Sequence, residues 1–343
     1  MRFLLFPLSF IYYIFLTLRS YFYEIGILKS TKFKMPILCL GNLSFGGTGK
    51  TPHTDFLTTF LKKDYKIAIL SRGYRRKSKG FVIVDINDNV ENTGDESLML
   101  KKNHPDTLVV VCEDRRFAIK KILERFKEID IIILDDGFQH KSIIAGFNIL
   151  LTSYQNMFFK DNLFPIGKLR DRKCESKRAE RIIITKCPEQ KKIHKEKILK
   201  ELIYHKKEHV YFSKIKYNNW VNIFNKIDCL EDISILLLTG VAKPQLIKEY
   251  LADNNSLFKH IIYNDHHNYT KNDIVKIIED FHSFKATKKL ILTTEKDAIK
   301  LLNFKSDFKD IPLYYLPIKI TFENEEKFKK DIIDYVEENK RNC

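Results

Sequence analysis

From residue 36 onward the chain alternates short apolar runs with longer amphipathic stretches. The runs Ile37–Leu40, Ile67–Leu70, Phe81–Val84, Leu108–Val111, Ile131–Leu134 and Asn148–Leu151 have the length and branching of buried strands. Helical patterns at 50–62 and 114–128 fall between them. Strands alternating with helices build βαβ units, so the pattern predicts an α/β fold with a mostly parallel sheet. A second series follows at Arg181–Thr185, Val210–Ile215, Ile233–Leu238, Leu290–Thr293 and Leu313–Leu316. The basic, loop-like stretch 160–180 separates the two series and places a domain boundary near 175. The expected organisation is an amino-terminal membrane-associating segment (1–35), a core domain (36–175) and a smaller carboxy-terminal α/β domain (176–343).

The amino terminus does not fit the alternation. Residues 3–18, FLLFPLSFIYYIFLTL, carry no charge and lie between Arg2 and Arg19. As helix they span roughly 24 Å, short of the ~20 residues usually needed to cross a bilayer. No small-x-small cleavage site follows, which argues against a signal peptide. Tyr21, Phe22 and Tyr23 and the cations Lys29, Lys32 and Lys34 come next, a mixture suited to a bilayer interface. The segment is either a buried core helix or a helix lying on a membrane surface, and its flanks favour the surface.

Composition narrows the partners. The 343 residues hold 60 Lys and Arg against 44 Asp and Glu, a formal net charge of +16, with 44% hydrophobic residues, 12 Gly and 9 Pro. Disorder and low complexity are excluded. The excess charge is clustered: five cations to one anion in 1–40, five cations and no anion in 72–79, sixteen cations to eight anions in 160–208. Such clusters suit nucleic acid, an anionic membrane or a phosphorylated substrate. No interleaved aromatic and basic recognition motif is visible, which argues against nucleic acid. The six cysteines form no CxxC pair, so neither a disulfide framework nor a structural zinc site is expected.

Four motifs carry chemistry. Gly-Asn-Leu-Ser-Phe-Gly-Gly-Thr-Gly-Lys-Thr-Pro (41–52) follows a strand and opens a helix, the setting of a phosphate-binding loop. Ser44, Phe45, Gly46, Gly47, Thr48, Gly49, Lys50, Thr51 and Pro52 would cradle a nucleoside triphosphate. Lys50 would reach the β- and γ-phosphates and the Thr51 hydroxyl would ligate Mg²⁺. Ser44 stands where such loops usually begin with glycine. In Ile-Ile-Ile-Leu-Asp135-Asp136, a strand ends in two carboxylates, as the Mg²⁺ site of this kind of fold requires. Thr93-Gly94-Asp95-Glu96 reads either as an acidic helix start or as a functional site. Asp265-His266-His267 reads either as an exposed turn or as a base with its orienting group. The Asn-Lys-x-Asp signature of guanine specificity is absent, so ATP is the expected nucleotide.

Taken in order, these motifs, the apolar amino terminus, Ser71-Arg-Gly-Tyr74, Asp135-Asp-Gly-Phe-Gln-His140 and Thr293-Thr-Glu-Lys-Asp-Ala298 resemble the tetraacyldisaccharide 4′-kinase family, of the P-loop NTPase superfamily. A serine or threonine at the first loop position is usual there. The resemblance implies a P-loop kinase core with a second smaller α/β domain closing over the site. It also implies transfer of the ATP γ-phosphoryl group to the 4′-hydroxyl of a tetraacylated glucosamine disaccharide 1-phosphate, a step of lipid A synthesis. The work would take place at the cytoplasmic face of a Gram-negative inner membrane, on an anionic glycolipid. Asp95 would be the catalytic base and His266 would orient it; Lys50, with Asp135 and Asp136, would serve nucleotide and Mg²⁺. Tyr74, Arg115, His140 and Arg170 would face the lipid's sugar or phosphate. One loop departs from the family pattern: Pro165-Ile-Gly-Lys-Leu-Arg-Asp-Arg172 has cations, Lys168 and Arg172, at two usual proline positions, where they could add phosphate or lipid contacts. The competing class is a membrane-peripheral P-loop ATPase or nucleotide switch acting on a protein partner. It leaves Gly-Asp-Glu and Asp-His-His without a role.

Overall fold

The computed structural model describes residues 5–188, 194–224, 233–241, 244–254 and 258–340. Arg2, the cations at 191 and 192, Cys229 and Cys343 lie outside them. Two sheets organise the chain. The larger has nine strands in the order Ile318–Phe322, Val210–Tyr217, Arg181–Thr185, Phe147–Ser153, Ile37–Asn42, Ile131–Leu134, Ile67–Ser71, Leu108–Val111, Val82–Ile83. Every neighbouring pair is parallel except at the two edges. The central strands ILCLGN, IIIL and IAILS are buried along their whole length, as a parallel sheet covered on both faces requires.

The second sheet has five strands, Val221–Asn222, Leu313–Leu316, Lys289–Thr294, Ser234–Thr239 and Phe258–Ile262, again parallel except at one edge. Its core is separate, built on residues such as Leu236, Leu238, Ile291 and Leu313. Most of the strands expected from the apolar runs are found within one or two residues of their expected bounds.

The sheets do not divide at 175. Arg181–Thr185 pairs with Phe147–Ser153, Val210–Tyr217 pairs next to it, and Ile318–Phe322 returns to the same ladder. The last helix, Glu325–Lys340, then buries Phe328, Ile332 and Val336 in the core of the larger sheet. The smaller sheet is thus an insertion between Tyr217 and Ile318. Its two crossings meet: the Asn218 N–H donates to the Pro317 carbonyl at 3.0 Å.

The helix Phe6–Glu24 is amphipathic in the unusual sense. Ser9, Leu16 and Ser20 are buried, while Phe10, Ile11, Ile14, Phe15 and Leu18 face outward. Its inner side is held by polar contacts. Ser9 Oγ donates to the Leu163 carbonyl (3.2 Å), Tyr12 OH to that of Arg170 (2.8 Å), and Arg19 to that of Gln139 (2.9 Å). Ser20 Oγ donates to Glu175 at 3.0 Å. Among the described residues no helix is long and apolar enough to cross a membrane.

Candidate active site

In both sheets the functional motifs follow the carboxyl ends of parallel strands, where open α/β sheets place their ligands. The phosphate loop leaves Ile37–Asn42, Asp135 and Asp136 leave the adjacent Ile131–Leu134, and Arg72 to Tyr74 leave Ile67–Ser71. From the smaller sheet, the loop after Phe258–Ile262 brings Asp265 and His266, and Lys289–Thr294 brings Lys296. Together they line a cleft of about 630 Å³ between the sheets.

At the phosphate loop, Gly49 has φ +89° at the start of the helix Lys50–Leu61, and Gly46 has φ +106°. These left-handed conformations are those glycine adopts without strain. The first turn of the helix therefore presents amides without intrahelical partners to the cleft end. The loop is braced from neighbouring strands. Asn42 Nδ2 donates to Thr48 Oγ1 (2.8 Å), Thr185 Oγ1 to the Thr48 carbonyl (2.8 Å), and Lys186 Nζ to the Gly47 carbonyl (2.9 Å). His53, buried under the loop, joins the Gly49 carbonyl (2.6 Å) to Ser213 Oγ (2.9 Å). Burial pushes its imidazole down to about 4. Ser44, Phe45 and the loop through Pro52 all line the cleft, as expected of a nucleotide site.

The two strand-end carboxylates have different surroundings. Asp135 is buried and accepts Thr54 Oγ1 at 3.0 Å. Burial first, then the charges of Glu96 and Asp136, hold its carboxyl well above the usual carboxylate range. Asp136 is taken up by cations: both its oxygens meet the Arg170 guanidinium, and Lys50 Nζ lies 3.6 Å away. Burial works against its ionisation, but Lys50 and Arg170 prevail and hold it below its ordinary value. Arg170, expected on the substrate, lines the cleft but spends its guanidinium on Asp136 and Asn42.

Asp95 opens the helix Asp95–Asn103 after Gly94, whose φ is +85° and whose added Cβ would lie 3.1 Å from the Tyr74 carbonyl. His266 Nδ1 lies 3.0 Å from Asp95 Oδ2 although 171 residues separate them. Lys300 and Lys296 lie 3.5 and 3.7 Å from the same oxygen. Burial disfavours the Asp95 charge, but the His266 hydrogen bond and the two lysines outweigh it and hold the carboxyl well below the usual range. Asp95 is only 4% exposed and is not itself among the lining residues; Glu96, Ser97 and His266 are. Its Oδ1 accepts the Glu96 N–H at 2.9 Å and retains a second lone pair.

The other expected residues gather here too. The Tyr74 ring sits edge-on to His266 with centroids 4.8 Å apart, and Arg75 Nη1 donates to the His266 carbonyl at 2.8 Å. Arg115 is buried, lines the cleft, and has no partner for its Nε. His140 lines the cleft, and burial followed by the nearby Arg115 charge pushes its imidazole down to about 4. Lys168 braces the phosphate loop through its carbonyl, which accepts the Phe45 N–H at 2.7 Å. Arg172 turns away from the cleft to Glu175 (2.6 Å) and to Thr17 of the amino-terminal helix (3.1 Å). Sequence reading missed Glu96, Lys296, Lys300 and Asn42 as site residues. Glu96, Lys296 and Asn42 lie inside the motifs read above but had no role there; Lys300 lies two residues beyond the last of them.

Similar proteins match the chain over nearly its whole length. The family model for tetraacyldisaccharide-1-P 4′-kinase matches residues 1–337. The tetraacyldisaccharide 4′-kinase of Flavobacterium psychrophilum is 40% identical over 345 residues, covering 98% of both chains. That of Bacteroides thetaiotaomicron is 37% identical over 357 residues, covering 98% of this chain and 94% of its own. A crystal structure of an "apo" form of LpxK from Aquifex aeolicus in complex with ATP superposes with a TM-score of 0.76 at 29% identity, over 98% of this chain and 99% of that one. With cleft, phosphate loop, paired acids and Asp–His contact in one frame over nearly its full length, this chain belongs to the tetraacyldisaccharide 4′-kinase family.

Proposed function

We propose that this chain transfers the γ-phosphoryl group of ATP to the 4′-hydroxyl of a tetraacylated glucosamine disaccharide 1-phosphate, working from the cytoplasmic face of a Gram-negative inner membrane. The observation that carries the reading is the convergence of the phosphate loop and His266 at one cleft, with Asp95 buried directly behind His266. ATP lies with its phosphates on residues 46–51, and Lys50 neutralises the β- and γ-phosphates. Asp95 accepts the proton of the 4′-hydroxyl as the oxygen–phosphorus bond forms, and His266 orients the carboxylate. The remaining work of phosphoryl transfer is positioning and charge neutralisation, which loop amides, Lys50 and Arg115 supply.

The residues fit Mg²⁺. Among the described residues no three His, Cys, Asp or Glu side chains form a cage, and Mg²⁺ asks instead for one or two carboxylates plus substrate phosphates. The Thr51 hydroxyl and Asp135 are the hard oxygen donors, with Asp136 behind them. The like charges of Glu96 and Asp136 that disfavour an ionised Asp135 are those a divalent cation would relieve. When bound, the ion would supply charge neutralisation to the phosphoryl group being transferred.

The membrane reading draws on the outward apolar face of Phe6–Glu24 and on the exposed Phe164 and Phe45, whose rings meet at 5.8 Å at the start of the phosphate loop. A protein that takes a lipid substrate from an anionic leaflet gains from such a face flanked by cations. We assign two units, a core of 36–217 with 318–340 and a smaller unit of 221–316, that close over both substrates about the paired crossings at Asn218 and Pro317.

The test is incubation of the purified full chain with labelled ATP, Mg²⁺ and the disaccharide 1-phosphate lipid in detergent. Phosphorylated lipid is expected. Absence of lipid phosphorylation together with partner-stimulated ATP hydrolysis would replace the kinase reading with that of a nucleotide switch.

A further inference from the structure

The segment Thr293-Thr-Glu-Lys-Asp-Ala298 has no role in the chemistry described so far, yet it reaches the Asp95–His266 pair. Asp297 is completely buried; it accepts Thr294 Oγ1 and the Gly240 N–H, both at 2.8 Å, and its amide donates back to Thr294. These bonds fix the first turn of the helix Glu295–Leu301 against the end of a neighbouring strand. Lys296 and Lys300, four residues apart, therefore project from one helix face toward Asp95.

Lys296 Nζ lies 3.0 Å from His266 Nε2 and 3.2 Å from Glu96 Oε1. An ammonium only donates, so Nε2 at this contact is an acceptor, and the single proton of a neutral imidazole then sits on Nδ1, facing Asp95. We propose that Lys296 is a positioning residue for phosphoryl transfer: it fixes His266 in its Nδ1–H tautomer and so aims the ring's hydrogen bond at the Asp95 carboxylate.

The charged groups around this contact come from three sides. Asp95 and Glu96 belong to the core helix, and Lys300 and Asp297 to the same helix as Lys296. Asp265 lies on the loop of His266, its carboxylate 3.8 Å from Lys296 Nζ and 4.0 Å from Nε2, too far to accept a hydrogen bond from the ring. Arg75 holds the His266 backbone through its carbonyl, at a residue whose φ is +57°. Ring position is thus set by Arg75 and Tyr74, and ring tautomer by Asp95, which accepts from Nδ1, together with Lys296, which donates to Nε2. Although burial opposes its charge, Lys296 is held protonated by Glu96, Asp95 and Asp265, so it stays a donor.

The proposal rests on Asp95 acting as the base, but its main readout needs no turnover. The full chain, labelled with ¹⁵N at the histidine rings and assigned with His266→Gln, should show Nδ1 of His266 protonated and Nε2 unprotonated; the opposite tautomer overturns the proposal. Lys296→Met should let the Nε2–H form appear. It should lower kcat at least about tenfold with the KM for ATP within about twofold, an effect on the proton-accepting step rather than on nucleotide binding. It should also move the acid limb of the kcat/KM profile upward, because the Asp95 carboxylate loses a stabilising cation. Lys296→Arg, also donor-only, should restore the tautomer and much of the rate. A Lys296→Met protein with unchanged tautomer and unchanged pH profile would refute the role. If it fails to fold, the wild-type tautomer and the Arg variant decide. A correct tautomer with Asp95→Asn turning over at full rate would instead sink the base assignment alone.

Discussion

His266 Nδ1 and Asp95 Oδ2 stand 3.0 Å apart although Asp95 opens a helix of the larger sheet's unit and His266 lies on a loop of the smaller sheet. Neither unit alone holds the pair, so the Asp95–His266 contact exists only when the sheets face each other. Asp95→Asn should lower lipid phosphorylation about 10²–10⁴-fold, the scale of a lost general base. The KM for ATP should stay within about twofold. His266→Ala should cost less, and adding it to Asp95→Asn should cost little more, since the two act as one unit. Normal turnover by Asp95→Asn in a steady-state lipid kinase assay would remove Asp95 from the mechanism.

Much of this was legible in the sequence because it is local. IIIL and LVVV read as buried strands, and a glycine-rich turn before Lys50-Thr51 reads as a phosphate loop. What was not legible is partner choice. RIIIT at 181–185 has the same local pattern as IIIL at 131–134, and nothing within it tells which sheet it joins. Only the ladder to Phe147–Ser153 does. Phe258–Ile262, FKHII, escaped notice because it is a half-exposed edge strand with two polar residues. Lys296 meets Glu96 across 200 residues, a distance over which spacing carries no information. Arg170 and Arg172 both read as contacts for the lipid or its phosphate, yet one clamps Asp136 and the other Glu175.

Asp135 gives a prediction about protons. Burial and the neighbouring charges of Glu96 and Asp136 favour its protonated form, so part of the population carries a proton at mildly acid pH. A divalent cation with ATP favours the ionised form, so binding Mg²⁺·ATP should release protons. The release should grow as pH falls from 7 toward 6 and should vanish in Asp135→Asn. Calorimetry in two buffers of different ionisation enthalpy measures it, and equal binding heats in both buffers at pH 6 would contradict the assignment.

Glu175 is nearly buried among Lys141 (2.7 Å), Arg172 (2.6 Å) and Arg178 (2.9 Å), and it accepts Ser20 of the amino-terminal helix. Burial opposes its charge, but these cations win and bring the carboxyl from 4.5 down to about 2. Because the folded value is depressed, the stabilisation is complete above the ordinary glutamate range and lost as pH falls through about 2. Glu175→Gln leaves three cations without their anion and should cost about 3 kcal/mol, as broken buried pairs do. Chemical denaturation at pH 7 reads the loss. The difference from wild type should shrink when the measurement is repeated toward pH 3, and a constant difference would mean that packing, not charge, is what was lost.

The helix Phe6–Glu24 turns its two serines inward and its phenylalanines outward, the reverse of a helix packed on a water-soluble core. Ile11 and Phe15, both more than 60% exposed, lie four residues apart on that outer face. Replacing them in Ile11→Ser/Phe15→Ser should leave thermal stability nearly unchanged, because neither side chain is covered by the rest of the chain. If the face enters a bilayer interface, each side chain contributes at least ~1.5 kcal/mol there, and losing both should weaken partitioning about a hundredfold. Sedimentation with vesicles containing anionic lipid measures this directly. Turnover on short-chain, water-soluble substrate analogues should persist, since the cleft is untouched, while turnover on vesicle-embedded lipid should fall with binding. A large drop in melting temperature with unchanged vesicle binding would show instead that the apolar face is covered by protein, and the membrane reading would fail.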